Sequence, residues 1–237
     1  MYDVFVTIVA IMFAIAAMGL LCKTGYWSKL LFKLGIKAPT PKINWTALSW
    51  ESCLLKLGTS ADIVFLGDSI TRGGNFHQQF SNLKIVNLGS SGDTLQGMCQ
   101  RVSTVKLLQP KQVFLMGGIN GLTNLNGRIC IKIYEQIINH IQEMLPETTI
   151  YVLSVLPVAK KRERKLCKNS TIVSFNQNVA ELAQRKGLTY IDLYNQYVLD
   201  GSLNPRYCKE DGLHLLPTAY DIWYKAIAHY VCPLMIK

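Results

Sequence analysis

Ser69 follows the apolar run Ile63-Val64-Phe65-Leu66 and the turn Gly67-Asp68, an arrangement that delivers a hydroxyl just past the end of a strand. A serine hydroxyl is a weak nucleophile at neutral pH and needs a base within hydrogen-bond reach. His214 can be that base. Asp211, three residues earlier in Asp211-Gly212-Leu213-His214, can hold the Nδ1 proton so that Nε2 faces Ser69. Ser, Asp and His in this chain order read as nucleophile, orienting carboxylate and base of an acyl-transfer site. Each segment alone says little, because Gly-Asp-Ser turns and Asp-x-x-His spacings are both common.

Two more polar clusters lie between them. Asn87-Leu88-Gly89-Ser90-Ser91-Gly92-Asp93-Thr94 follows the apolar run Lys84-Ile85-Val86, and Gly117-Gly118-Ile119-Asn120 follows Val113-Phe114-Leu115-Met116. Every cluster thus sits past the C-terminal end of an expected strand. In an open parallel sheet that edge is where ligand sites form.

With these four segments the chain resembles the SGNH/GDSL family of serine esterases, whose signature is Ser, Gly, Asn and His in four separated motifs. Ser69, Gly89, Asn120 and His214 stand at those positions, with Asp211 as the matching acid. The resemblance runs from about Asp62 to the C-terminus. The strings Gly-Asp-Ser-Ile-Thr, Gly-x-x-Gly-Asp-Thr and His-Leu-x-x-x-x-Tyr are most similar to the acetylhydrolase and lysophospholipase branch. The resemblance implies a flavodoxin-like parallel sheet and hydrolysis of a carboxylic ester through an acyl-serine, with no metal or organic cofactor. Its implied substrates are short acyl or acetyl esters of a sugar, or a lysophospholipid.

It also implies an oxyanion site made by the backbone N–H groups of Ser69 and Gly89 and the side-chain amide of Asn120. Preorganised donors of this kind contribute roughly 3 to 4 kcal/mol each as charge gathers on the carbonyl oxygen. Asp68 and Asp93 read as acceptors that stabilise their loops. The family usually carries Asp after the oxyanion Asn, whereas Gly121 stands here. Two rival functions share these residues: an O-acyltransferase using the same acyl-serine, and a non-catalytic binding module of the same fold.

The elements that must position these groups follow from hydrophobic patterning. Strands are expected at Ile63–Leu66, Lys84–Asn87, Gln112–Met116, Ile150–Val155 and Thr189–Ile191, most of them continuous apolar runs suited to strands buried on both faces. Ile129, Ile133, Ile137 and Ile141 mark a helix ending near Pro146. Ser170 or Thr171 can cap another that runs to Gly187, and Pro217 can open a last helix with Trp223, Ile227 and Tyr230 on its buried side. A first helix is expected over Trp45–Leu57, stopped by Gly58. Such alternation predicts a three-layer α/β/α domain with a parallel sheet.

At 237 residues the chain has room for one ordinary domain and an N-terminal addition. Val4 to Cys22 is apolar and uncharged apart from the hydroxyl of Thr7; at 1.5 Å per residue it spans roughly 28 Å, close to the hydrocarbon thickness of a bilayer. Met1-Tyr2-Asp3 lacks the basic residue of a signal peptide, and Leu21 stands before Cys22 where a lipoprotein signal has a small residue. The expectation is a single uncleaved anchor over residues 1–23, a basic juxtamembrane segment and Pro-containing linker over 24–43, and the hydrolase domain over 44–237. Membrane lipid is then a partner alongside the ester substrate.

Lys23, Lys29, Lys33, Lys37 and Lys42 all flank the anchor on its C-terminal side, which places the domain in the cytoplasm by the positive-inside rule. The family resemblance points the other way, to esters outside the cytoplasmic membrane. Seven cysteines without close pairing suggest free thiols, and none has the Cys-x-x-Cys spacing of a zinc or redox site.

The net charge of +10 comes largely from the juxtamembrane lysines and the run Lys160-Lys161-Arg162-Glu163-Arg164-Lys165. That run reads as a solvated loop, or as an attractor for anionic headgroups or polymers. Nothing in the sequence suggests nucleic-acid binding. His77 is expected in a polar loop, and His140 and His229 within helices.

Overall fold

The structure, a computed structural model, describes residues 60–123 and 125–235. The expected anchor, the linker and the Trp45–Leu57 helix lie outside the described residues. Among the described residues no helix is long and apolar enough to cross a membrane.

Five strands form the central sheet: β1 (Ile63–Gly67), β2 (Ile85–Gly89), β3 (Gln112–Met116), β4 (Thr149–Leu153) and β5 (Thr189–Ile191). Their order is β2-β1-β3-β4-β5 and every pairing is parallel, as the alternating pattern predicts. All residues of β1 and β3 are buried, which explains the apolar runs Ile63–Leu66 and Val113–Met116: helices cover both faces.

The helices are α1 (Ser69–Arg72), α2 (Phe76–Gln79), α3 (Leu95–Gln100), α4 (Val102–Leu108), α5 (Ile119–Leu122), α6 (Gly127–Met144), α7 (Asn169–Arg185), α8 (Tyr194–Tyr197) and α9 (Tyr220–Met235). A two-stranded antiparallel hairpin, β6 (Val198–Leu199) and β7 (Ser202–Leu203), follows α8.

One face of the sheet carries an aromatic row set by strand register. Phe65 of β1 lies beside Phe114 of β3, which lies beside Tyr151 of β4. Their rings stack at centroid distances of 5.0 and 4.7 Å. Phe76 of α2 stacks on Phe65, and Trp223 of α9 meets Phe76 edge-on at 5.4 Å. The opposite face receives α6, whose Cys130, Ile133, Tyr134, Ile137, Ile138 and Ile141 are buried, and Tyr134 Oη donates to Leu115 O at 3.1 Å.

Several boundaries differ from the sequence reading, each for an identifiable reason. β4 stops at Leu153 rather than Val155 because a buried side chain replaces the neighbouring strand. Asn176 accepts from Val155 N–H and donates to Val155 O, both at 2.9 Å. Asn169 does the same for Val158, so α7 begins there with no Ser or Thr cap. Pro217 opens a short 3-10 turn, Pro217–Ala219, before α9. Trp223 and Ile227 are buried as expected, whereas Tyr230 is only partly covered. His77 lies on α2, exposed, instead of in a loop.

Candidate active site

The C-terminal ends of β1, β2 and β3 lie side by side, because Gly67 is in register with both Gly89 and Met116. Each strand therefore delivers its following loop to one edge. Asp68 caps α1 by accepting from Ile70 N–H at 2.9 Å, which turns the chain sharply after β1 and presents Ser69 as the first helical residue. Asp68 is 1 % exposed. Burial pushes its carboxyl up to about 7, against the lowering effect of the Ile70 N–H.

The second component arrives from 145 residues away: His214 Nε2 lies 2.8 Å from Ser69 Oγ. On the other side of the ring, Nδ1 lies 2.5 Å from Asp211 Oδ2, while Asp211 Oδ1 accepts from the N–H groups of Leu213 and His214 at 2.9 and 3.0 Å. The turn at Gly212, with φ +75°, lets the carboxylate fold back onto the ring that follows it. Partial burial pushes the Asp211 carboxyl up, but the His214 ring and the two backbone N–H groups outweigh this and hold it at about 2. An ionised Asp211 holds a proton on Nδ1 and leaves Nε2 as the acceptor for the serine hydroxyl.

Backbone bonds anchor this loop to the domain. Ala159 N–H donates to Gly212 O at 2.9 Å, and Lys209 N–H to His214 O at 2.8 Å. The basic run starts here as a 3-10 turn, Lys160–Arg162, rather than a free loop. A Cβ at Gly212 would lie 3.3 Å from Arg162 Cβ and 3.4 Å from Lys161 Cε. The cations therefore sit beside the Asp211–His214 segment.

Asn120 sits on α5, and its Nδ2 donates to Asp93 O at 2.8 Å. An amide nitrogen carries two hydrogens, so this bond orients the group and leaves the second hydrogen for another acceptor. Gly89 differs from expectation: its N–H donates to Asn87 Oδ1 at 2.9 Å, because the Asn87 side chain folds back along its own backbone. Asn87 Nδ2 in turn donates to Thr71 O and Gly74 O, tying β2 to α1. A substrate oxygen at this N–H would share or displace Asn87. No side chain is possible at 89, since a Cβ would lie 2.2 Å from Arg72 N.

Gly121 itself holds the Asn120 segment through backbone bonds. Gly121 N–H and Leu122 N–H both donate to Gly118 O at 2.9 Å, and Leu125 N–H donates to Gly121 O at 2.8 Å. A Cβ at Gly121 would touch Cys130 Sγ at 3.5 Å and Leu125 Cδ1 at 3.8 Å. An aspartate here would aim its carboxylate into buried apolar surroundings.

Asp93 is a loop-stabilising acceptor as expected. Burial pushes its carboxyl up, and the adjacent Arg101 guanidinium opposes that. Sequence reasoning missed Arg101 and the role of Tyr220, whose Oη donates to Ile70 O at 2.7 Å and joins α9 to the serine turn. Tyr220 closes the His-Leu-x-x-x-x-Tyr string, so that spacing was the available signal. His140 and His229 lie on α6 and α9, away from this edge; His140 Nδ1 is 3.6 Å from Cys99 Sγ. Cys99, Cys130, Cys167 and Cys208 are free thiols.

Solved structures share this fold. A GDSL-like lipase from Bacteroides thetaiotaomicron superposes with a TM-score of 0.68 at 21% identity, over 79% of this chain and 98% of that one. A lipase/acylhydrolase from Enterococcus faecalis gives 0.61 at 22% identity, over 71% and 94%. The periplasmic domain of a lipopolysaccharide acetyltransferase from Salmonella ser. Paratyphi A gives 0.57 at 16% identity, over 76% and 88%. A comparison with curated proteins gives no match. The model of the GDSL-like Lipase/Acylhydrolase family matches residues 65–222, more than half of the chain. The chain therefore belongs to the GDSL-like lipase/acylhydrolase family and is a carboxylic ester hydrolase.

Proposed function

We propose that Ser69 is the nucleophile of this ester hydrolase and that the reaction passes through an acyl-serine. The observation that carries this reading is the chain of contacts from Ser69 Oγ through the His214 ring to Asp211. As Oγ attacks the ester carbonyl, its proton passes to His214 Nε2, and Asp211 stabilises the imidazolium. Collapse of the tetrahedral species breaks the bond to the alcohol oxygen, which leaves with the proton from Nε2. Water then attacks the acyl-serine, giving its proton to His214 Nε2; collapse breaks the acyl bond to Ser69 Oγ, which takes that proton back as the carboxylic acid departs. His214 and Asp211 side chains are 34% and 41% exposed, which gives that water access.

Charge on the carbonyl oxygen is met by the Ser69 N–H, the second hydrogen of Asn120 Nδ2 and, once Asn87 yields, the Gly89 N–H. Asn120→Ala is expected to lower kcat by about a hundredfold or more with KM little changed. Steady-state kinetics on an activated acetate ester test this; a change confined to KM would make Asn120 a substrate-positioning residue instead.

The substrate is a short acyl or acetyl ester of a sugar, or a lysophospholipid. Support comes from the acetylhydrolase-like strings, and the cationic turn at Lys160–Arg162 suits an anionic group near the ester. A transferase would use the same acyl-serine but pass the acyl group to a sugar hydroxyl. Hydrolysis measured with and without an acceptor alcohol separates the two, and fluorophosphonate labelling at Ser69 tests the nucleophile that both require. Absence of label on the folded chain would favour a binding module.

The enzyme works at a membrane surface, held by the apolar stretch Val4–Cys22. The full-length chain is expected to stay with membranes after high-salt and carbonate washing, whereas a chain beginning near Lys42 is released and keeps its esterase activity. The lysines after Cys22 favour a cytoplasmic domain, and the family resemblance favours the opposite side. Protease added to intact cells checks this: digestion of the domain while a cytoplasmic marker survives would place it outside.

A further inference from the structure

Arg101 joins α3 to α4, and a charged residue at such a junction would ordinarily reach solvent. It is instead 8% exposed, with its guanidinium beneath the strand ends. Nη1 donates to Leu88 O at 2.8 Å, and Nη2 reaches Gly67 O at 3.3 Å. Nε donates to Asp93 Oδ2 at 3.0 Å, and Nη2 also donates to that oxygen.

These acceptors share one property. Leu88 O and the Gly89 N–H belong to the same planar peptide, so fixing the oxygen fixes the direction of the N–H. Donation to that oxygen also polarises the peptide and strengthens its N–H as a donor. Gly67 O lies at the end of β1, one peptide before the Ser69 N–H. Asp93, gripped through its carboxylate, offers its own backbone oxygen to Asn120 Nδ2. One guanidinium thus touches the support of each expected oxyanion donor.

Burying a cation is expensive unless its hydrogen bonds are met, and the planar fork of arginine serves three acceptors that a lysine ammonium cannot serve together. The site is built around the pair. Gly97 of α3 has no side chain where a Cβ would lie 2.0 Å from Asp93 Oδ1. Any larger residue would push the carboxylate from its place.

We propose that Arg101 is a positioning residue for ester cleavage: with Asp93 it holds the loops of Ser69, Gly89 and Asn120 in one arrangement, so that kcat rather than KM depends on it. This rests on the proposed oxyanion role of Asn120 and the nucleophile role of Ser69. Arg101 and Asn120 both bond Asp93, so part of what Arg101 does passes through Asn120.

The test uses the purified full-length chain, an activated acetate ester, and Ser69→Ala and Asn120→Ala as controls. Arg101→Lys is expected to lower kcat by about tenfold or more with KM within about twofold. In the Asn120→Ala background the same change is expected to cost less than about threefold, because part of what Arg101 aims is already gone. A general loosening of the fold would instead multiply the two losses. Native kcat in a folded Arg101→Lys chain, or losses that multiply in full, overturns the proposal. If Arg101→Lys does not fold, Gly97→Ala, which displaces the Asp93 carboxylate while keeping both charges, is judged by the same two criteria. Should Ser69→Ala retain activity, or Asn120→Ala keep its native kcat, the underlying reading fails; normal controls beside an unaffected Arg101→Lys refute the clamp alone.

Discussion

Ser69→Ala is expected to reduce ester hydrolysis by a factor on the order of 10⁴ or more, leaving only what binding and oxyanion donors supply without a nucleophile. The fold should be undisturbed. Ser69 Oγ contacts His214, whereas the turn itself is held by Asp68, whose carboxylate accepts from Ile70 N–H, and by Tyr220. The variant should therefore melt close to the parent temperature and fail to take a fluorophosphonate label. Equal turnover by well-folded Ser69→Ala, free of parent enzyme, would sink the nucleophile assignment.

Asp211→Asn is expected to be nearly as damaging, about 10⁴-fold in kcat, although it changes one atom type. An asparagine amide can turn a donor toward Nδ1, which then holds no proton; the ring proton moves to Nε2 and faces Ser69, where an acceptor is needed. The measurement is kcat near neutral pH, with His214→Ala for comparison. Activity within a few fold of the parent would mean that Asp211 does not set the ring.

The pH dependence follows from the same contact. Asp211 is depressed from the ordinary 3.8 to about 2, so it is ionised throughout the working range. Protonation of Asp211 should therefore contribute nothing to loss of rate until the solution is strongly acid. A depressed carboxyl contributes stability that is present above the unfolded value near 3.8 and lost as pH falls through about 2. Unfolding linked to Asp211 belongs only to strongly acid solution. Stability that does not change between pH 3.8 and about 2 would show that the Asp211 carboxyl is not depressed in the folded chain.

The local sequence determined a good deal. β1 and β3 were legible because strands buried on both faces must be apolar without interruption. The contact of Asp211 with His214 was legible because a three-residue turn around a glycine brings the two side chains together with little help from the rest of the chain. The parallel sheet was legible in the alternation of strands and helices, and the strand-end position of Ser69, Gly89 and Asn120 followed from it.

Tertiary structure decided what depends on the direction of side chains that are distant in sequence. Nothing in the sequence marked Arg101, which folding brings under Gly67 O, 34 residues away. Tyr220 braces the serine turn across 150 residues. β4 ends early because Asn176, 21 positions on, supplies the bonds of a neighbouring strand. The Gly89 N–H is engaged by Asn87, only two residues away, yet which way that amide turned was set by Thr71 O and Gly74 O. Residue type specifies what a group can bond to. Only packing specifies which partner comes within hydrogen-bond reach, about 3.5 Å at most.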